Sequence, residues 1–295
     1  MGQIEQAAKL NTEAPIALHI VVVSFFVITG TAFNGLIIYL KLRKSNILET
    51  DVYIVSLACV DIFQCIIMCP QYPFMAYYIA EYWKNRPLLL YQEIFCAYAA
   101  SLIYLQLLTI IAIHRANAVF KPYTFKSSVR RACHAIAAIV SFSILNAVIL
   151  QRGVGFLTHA ELIADSVMSA ELTFCFCLIA ISYSIIFVKL YKHKGKVENI
   201  KYSNNETNSN QTQHNIAKST RAVHLKTIKM FGVITLIFIA SFAPSIVIVF
   251  ELYNNFNILY GGFFNHNTNF LVYMAFNTDF RNDVFKFLHG IKNVI

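Results

Sequence analysis

Long apolar segments separated by short polar ones recur along almost the whole chain. Each of the stronger segments holds roughly 20 apolar residues, enough for a helix to cross a bilayer core of about 30 Å. The predicted spans, of which the last is the least apolar, are Ile16–Leu40, Val52–Ile79, Leu88–Ile113, Cys133–Leu150, Met168–Tyr191, Leu225–Phe250 and Phe256–Phe276. This pattern predicts an all-α membrane protein built as a seven-transmembrane helix bundle.

The composition agrees with a membrane protein. The chain is 57% hydrophobic and 13% charged, whereas soluble domains carry about a quarter charged residues. Its net charge of +9 follows from the loops, because nearly all Lys and Arg residues follow spans one, three, five and seven. The exceptions are Lys9, Lys84, Arg86 and Arg152. Positive loops face the cytoplasm, so the charge indicates a membrane orientation and no nucleic-acid partner.

This orientation divides the chain into three parts. Residues 1–15 are expected to form an extracellular N-terminus, residues 16–276 the bundle, and residues 277–295 a cytoplasmic helix and tail. Within the bundle, residues 199–220 are rich in Asn, Ser, Thr and Gln and predict a disordered third cytoplasmic loop. Asp279–Leu288 has apolar residues at helical spacing, which predicts a short amphipathic helix on the inner membrane surface.

Polar residues interrupt the apolar spans at a few positions. Asp61 lies within the second span, where a carboxylate costs several kcal/mol unless it faces a polar interior or has a partner. Asn34 lies in the first span, and Asn265 and Asn269 lie in the seventh. We interpret these side chains as a polar switch that joins three helices, against the alternative of an incidental, satisfied network.

Several short motifs accompany Asp61. The third span ends in His114-Arg115, followed by Ala118-Val119 and Pro122. The sixth contains Phe238-Ile-Ala-Ser-Phe242-Ala-Pro244, in which the proline removes a backbone hydrogen bond and kinks the helix. The remaining motifs are Ser56-Leu57-Ala58 before Asp61, Tyr183-Ser184, Asn269-Phe-Leu-Val-Tyr273 and Phe280-Arg281.

In this order and register, the motifs resemble those of rhodopsin-like (class A) G-protein-coupled receptors. The resemblance implies that an external ligand drives helix six about Pro244, beside Phe242, and opens an inner cleft. Arg115, Tyr183 and Tyr273 would then contact a heterotrimeric G protein. It further implies a plasma-membrane location and, at Asp61, a sodium ion with waters, which is the sole cofactor suggested.

The resemblance also restricts the ligand. Ala97 stands where amine receptors carry an Asp, so a biogenic amine is not expected. Opsins need a Lys in helix seven for retinal, and none occurs between Lys229 and Lys286. The pocket is expected around Ala97, Ser101, Tyr104 and Phe242, with an unidentified ligand. Three acidic residues near the outer mouth are interpreted as solvated loop charges, against the alternative that they attract a cation: Glu161, Asp165 and Glu171.

Three departures from the family bear on activity. The acids that pair with the helix-three Arg in the inactive state are replaced by His114 and His224, so this lock is expected to be weak and basal signalling raised. The family disulfide is missing, since Leu90 occupies its helix-three position, and the interval from Pro244 to Phe270 is unusually short. A truncated, non-signalling receptor is therefore one alternative.

The rival classes are a membrane enzyme and a transporter or channel. Seven-helix hydrolases hold zinc with several His and an Asp. Here His266 is the deep histidine and lacks a His partner, so we expect no enzyme and no other metal site. A transporter or channel usually shows internal repeats, which this sequence lacks, but that class stays the alternative to a receptor.

Overall fold

The computed structural model describes residues 16–71, 87–120, 128–156, 170–171, 173–189, 229–241 and 260–292. Regular structure within these ranges is entirely helical. The helices are α1 (Ile16–Leu42), α2 (Glu49–Phe63), α3 (Pro87–Phe120), α4 (Val129–Phe156), α5 (Thr173–Lys189), α6 (Lys229–Ser241), α7 (Tyr260–Phe276) and α8 (Thr278–Lys292). The all-α prediction is confirmed, and each predicted span contains one of α1 to α7 at least in part.

Four described helices are long and apolar enough to cross a bilayer. Their apolar segments are Ile20–Leu42, Glu49–Ile67, Ala99–Phe120 and Val129–Ile149. The described parts of α5 and α6 are shorter but also apolar. Pro244, Phe242 and the loop at 199–220 lie outside the described residues, so the predictions made for them have no structural counterpart here.

The third helix extends further than the sequence predicts. The apolar pattern places its end near Ile113, with Arg115 in the last turn, but α3 continues to Phe120. Lys189 of α5 donates a hydrogen bond to the carbonyl of Phe120 at 2.6 Å and lies 4.4 Å from its ring centroid. A cation on the last carbonyls favours the helix C-terminus. Arg115 therefore lies more than a turn before the end of α3.

The C-terminal end of α2 changes its winding before Pro70. The helix continues as a π-helical turn, Gln64–Met68, and then a 3-10 turn, Cys69–Gln71. Pro70 cannot donate a backbone hydrogen bond, and the widened turn passes the bond from the amide of Cys69 to the carbonyl of Gln64. The helix type thus changes next to Pro70, while Pro73 lies outside the described residues.

Helix α3 lies at the centre of the bundle and α4 at its rim. Of the apolar segment of α3, 67% is buried inside the protein, compared with 17% for α4. The fully buried side chains of α3 are Tyr104, Leu105, Leu107, Leu108 and Ile111. Several large apolar side chains of α4 are exposed: Phe142, Ile144, Leu145 and Ile149. Exposed apolar side chains on a rim helix suit a lipid environment, whose acyl chains are as apolar as leucine.

Ion pairs hold the ends of α1, α2 and α8 together. Lys41 and Asp51 form a buried pair with their charged atoms 2.6 Å apart, and Asp51 also accepts a hydrogen bond from the amide of Leu48 at 3.1 Å. Lys44 and Asp283 approach to 4.0 Å at the surface. The α1–α2 connection is therefore anchored on one carboxylate that serves two donors.

Substitution of Gly30 tests how closely α1 approaches α2. A Cβ atom at Gly30 would lie 2.5 Å from the Sγ atom of buried Cys65, whereas one at Gly35 would meet nothing within 4 Å. Overpacking costs about 1–3 kcal/mol, while Gly to Ala in an open helical position gains up to about 1 kcal/mol. We expect Gly30→Ala to lower the melting temperature of the purified protein and Gly35→Ala to leave it unchanged or higher. Equal melting temperatures for both variants would contradict this packing.

Candidate functional site

A buried polar cluster joins α2, α3 and α7. Asp61 of α2 is completely buried, and each of its carboxylate oxygens has a nitrogen neighbour from α7. His266 Nδ1 lies 2.8 Å from Oδ1, and Asn269 Nδ2 donates to Oδ2 at 2.6 Å. The same Asn269 nitrogen donates to the hydroxyl of Tyr104 on α3 at 2.9 Å. Three helices therefore meet through one carboxylate and one amide.

Helix α1 joins this cluster through the backbone of α7. The amide nitrogen of Asn34 donates to the carbonyl of His266 at 2.7 Å and to the carbonyl of Gly30 at 2.9 Å. Asn34 thus reaches Asp61 by way of His266. Asn265 is fully buried, but among the described residues its side chain makes no hydrogen bond to Asp61. Of the two predicted amide partners on α7, Asn269 alone binds the carboxylate.

His266 is the member of the cluster that sequence reasoning missed. It was considered only as a zinc ligand and set aside because it had no His partner. A signal was present: His266 and Asn269 are three residues apart, so both lie on one face of a helix. A buried histidine and a buried aspartate on facing helices can satisfy each other's hydrogen-bonding groups, which lowers the free-energy cost of burying both.

Stacked aromatic rings frame the cluster on two sides. Tyr104 stacks on Phe238 of α6 with ring centroids 4.9 Å apart. Phe270, which stands where the receptor family carries a proline, stacks on Phe33 of α1 at 4.5 Å. Such pairs contribute about 0.5–1.5 kcal/mol beyond their buried area. Tyr104 was predicted to line a ligand pocket, and its side chain is buried between this stack and Asn269.

The other expected pocket residues are only partly described. Ser101 is half-buried in α3, within one helical turn of Tyr104. Ala97 belongs to α3, but its side chain is outside the description. Phe242 is outside it altogether. The ligand pocket consequently stays a prediction.

Arg115 lies buried near the C-terminal end of α3. It is 6% exposed, and its Cζ atom lies 5.3 Å from the ring centroid of Phe231 on α6. Two of its nitrogens, Nε and Nη2, make no hydrogen bond within the described part of the chain. A guanidinium over an aromatic face is attracted by the ring's electrons. Helices α3 and α6 are therefore joined here by a cation–π contact.

His114, next to Arg115, is paired with an acid from another helix. Its Nε2 atom lies 2.9 Å from Oε2 of Glu49, at the start of α2. The amide of Ser128, before α4, donates to the same oxygen at 2.8 Å. The receptor family has the acid on helix three, and here the basic partner is on helix three and the acid on α2. Glu49 therefore joins α2 to His114 of α3 and to the backbone just before α4.

The two predicted tyrosines lie on α5 and α7. The hydroxyl of Tyr183 is 3.4 Å from that of Thr235 on α6. Tyr273 is buried, its ring edge-on to Phe280 with centroids 5.9 Å apart, and its hydroxyl has no hydrogen-bond partner in the ranges described. Tyr183 thus links α5 to α6, and Tyr273 packs α7 against α8.

A second polar cluster lies between α3, α4 and the residues before α5. Glu171 accepts hydrogen bonds from Gln106 at 2.5 Å and from Asn146 at 3.4 Å. Ser143 donates to Gln106 at 3.3 Å. The interpretation of Glu171 as a solvated loop charge was wrong, because its carboxylate is bound to amides of two helices. The sequence pattern does not reveal these hydrogen bonds, because Glu171, Gln106 and Asn146 are far apart along the chain.

Asn269 provides the test of the first cluster. Replacing it by Ala leaves a carboxylate oxygen and a buried hydroxyl without this donor, and a lost partner of a buried polar group costs about 1–3 kcal/mol. We expect Asn269→Ala to lower the melting temperature by several degrees. Asn117→Ala, at an exposed position of α3, is the matched control and should be neutral. A neutral Asn269→Ala would show that the cluster does not stabilise the bundle.

Comparisons with known proteins bear on the fold. No protein-family model matches the chain, and no curated protein sequence matches it. A search of solved structures finds similarity to the crystal structure of squid rhodopsin, with a TM-score of 0.77 and 17% sequence identity, covering 94% of this chain and 87% of that one. The chain is therefore a membrane protein with the seven-transmembrane helix fold seen in squid rhodopsin.

Proposed function

We propose that the chain is a G-protein-coupled receptor of the plasma membrane, which transduces an extracellular ligand to a heterotrimeric G protein. One observation carries the proposal: Arg115 is buried against Phe231, so the inner ends of α3 and α6 are held closed around a cation. The fold shared with squid rhodopsin supports it, as does the resemblance of the motifs at Asp61, Arg115 and Tyr273.

The proposed mechanism depends on the contacts that join α6 to α3 and α5. A ligand shifts an equilibrium between closed and open bundles by binding the open one more tightly. If α6 moves outward about Pro244, Phe231 leaves Arg115, and the contact between Tyr183 and Thr235 is strained or broken. The guanidinium is then open to the cytoplasm and to the G protein. Tyr273 of α7 rearranges beside it.

The polar cluster at Asp61 is proposed to couple the ligand end of the bundle to this inner end. Tyr104 joins both parts, since its hydroxyl binds Asn269 and its ring stacks on Phe238 of α6. A displacement of α6 therefore disturbs the same side chain that helps to hold Asp61. The N-terminus is proposed to be extracellular and the C-terminus cytoplasmic, with α8 on the inner lipid surface.

The contact at Arg115 sets the expected resting activity. A cation–π contact contributes about 0.5–2 kcal/mol, and each 1.4 kcal/mol changes a two-state equilibrium about tenfold. The acids of the family's lock are replaced by His114 and His224 in this chain, so this contact stands in for an acid–base lock. The unliganded receptor should therefore signal above an empty-vector background.

Arg115→Ala tests the coupling role. We expect the variant to lose G-protein activation in transfected cells, because the guanidinium that meets the G protein is gone, while its surface level is unchanged. Surface level is measured with an N-terminal epitope tag on intact cells, which also tests the orientation. Arg131→Ala, at an exposed position of α4, is the control. Full signalling by Arg115→Ala would refute the role, and an ion current without G-protein activation would favour a channel or transporter.

Phe231→Leu tests the lock. Leucine retains an apolar side chain but has no ring electrons to hold the guanidinium, so basal G-protein activation should rise several-fold at equal surface expression. Leu236→Ala, on the exposed face of α6, should leave basal activation unchanged. Basal activation of Phe231→Leu at or below that of the unmodified receptor would contradict the lock.

A further inference from the structure

We propose that the side chain of His266 takes the place of the sodium ion that resemblance to rhodopsin-like receptors implies beside Asp61. The chain then satisfies this buried carboxylate with its own groups and binds no sodium there. This role of His266 is separate from G-protein coupling, and its test needs no signalling.

Asp61 cannot be left without partners. It is completely buried in α2, and an isolated ionised carboxylate is very costly in an apolar interior. A bundle can meet that cost with a bound cation or with hydrogen-bond donors and a basic side chain. The neighbours of the two carboxylate oxygens show which solution this chain uses.

Both oxygens of Asp61 face nitrogen atoms. Because Nδ1 of His266 lies 2.8 Å from Oδ1, one proton must lie between these atoms, carried by either of them. The amide nitrogen of Asn269 is 2.6 Å from Oδ2 and can only donate. The side of the carboxylate that faces α7 is thus covered by two hydrogens.

These neighbours do not suit a sodium ion. Hard cations are held by several oxygen ligands, whereas the groups on Asp61 present hydrogens, whose positive ends repel a cation. The hydroxyl of Tyr104 accepts a hydrogen bond from Asn269 at 2.9 Å, so one of its lone pairs is already engaged.

The position of His266 is built into the packing of α7. Its backbone carbonyl accepts a hydrogen bond at 2.7 Å from Asn34 of α1, and its side chain is 5% exposed. The ring is therefore placed on Asp61 by contacts from two other helices. His266 is therefore a fixed part of the bundle, whereas a sodium ion could dissociate from it.

The test measures the melting temperature of the purified receptor in sodium chloride and in choline chloride of matched ionic strength. We expect the unmodified protein to melt at the same temperature in both salts. His266→Ala should melt several degrees lower in choline chloride and recover part of that loss in sodium chloride, because it uncovers Oδ1 and leaves space. The double variant Asp61→Asn/His266→Ala should show no recovery.

His266→Asn tests whether the effect of His266→Ala comes from the lost hydrogen-bond donor or from the space that the ring leaves. Its amide nitrogen can replace Nδ1, so the variant should be more stable than His266→Ala in choline chloride and should gain less from sodium. A sodium-specific rise in the melting temperature of the unmodified protein would overturn the proposal, and this measurement stands even if a variant cannot be purified. It would also be overturned if His266→Ala melted at the unmodified temperature in choline chloride, or if His266→Asn gained as much from sodium as His266→Ala.

Discussion

The bundle depends on one carboxylate being kept in an apolar interior. Asp61 has no access to solvent, so every group around it is constrained to supply a donor. Asn269 and His266 do so from α7, Tyr104 shares the donor of Asn269, and Asn34 fixes the turn of α7 that carries His266. Because an unpaired buried charge costs several kcal/mol, the relative placement of α1, α2, α3 and α7 is tied to this single group.

Helix α3 transmits that constraint along the bundle. It is the most buried of the long helices, and it carries Tyr104 in the polar cluster and Arg115 at the inner end. Between them lie side chains with almost no exposure, Leu107, Leu108 and Ile111. Close-packed interiors deform little and pass small displacements on. Helix α3 therefore contacts α7 through Tyr104. It contacts α6 at two residues of that helix, Phe238 and Phe231.

The inner end shows how contacts between helices can persist when charges change. A basic residue at position 114 removes the expected acid beside Arg115, and Glu49 of α2 supplies a carboxylate for His114 instead. Arg115 in turn rests on the ring of Phe231. An aromatic ring attracts a guanidinium without needing to be desolvated as an ion. The contact between α3 and α6 at this end is therefore a cation–π contact and not an ion pair.

The sequence by itself determined the all-helical, seven-span architecture, because spans of roughly 20 apolar residues leave few other structures in a bilayer. It also located Asp61, Asn34, Asn269 and Arg115 as polar residues that required an explanation. Only the tertiary structure decided the partners: His266 on Asp61, Phe231 on Arg115, Glu49 on His114 and Gln106 on Glu171. Periodicity reports which face of a helix is polar, but pairing depends on the rotation and depth of two helices that are far apart along the chain.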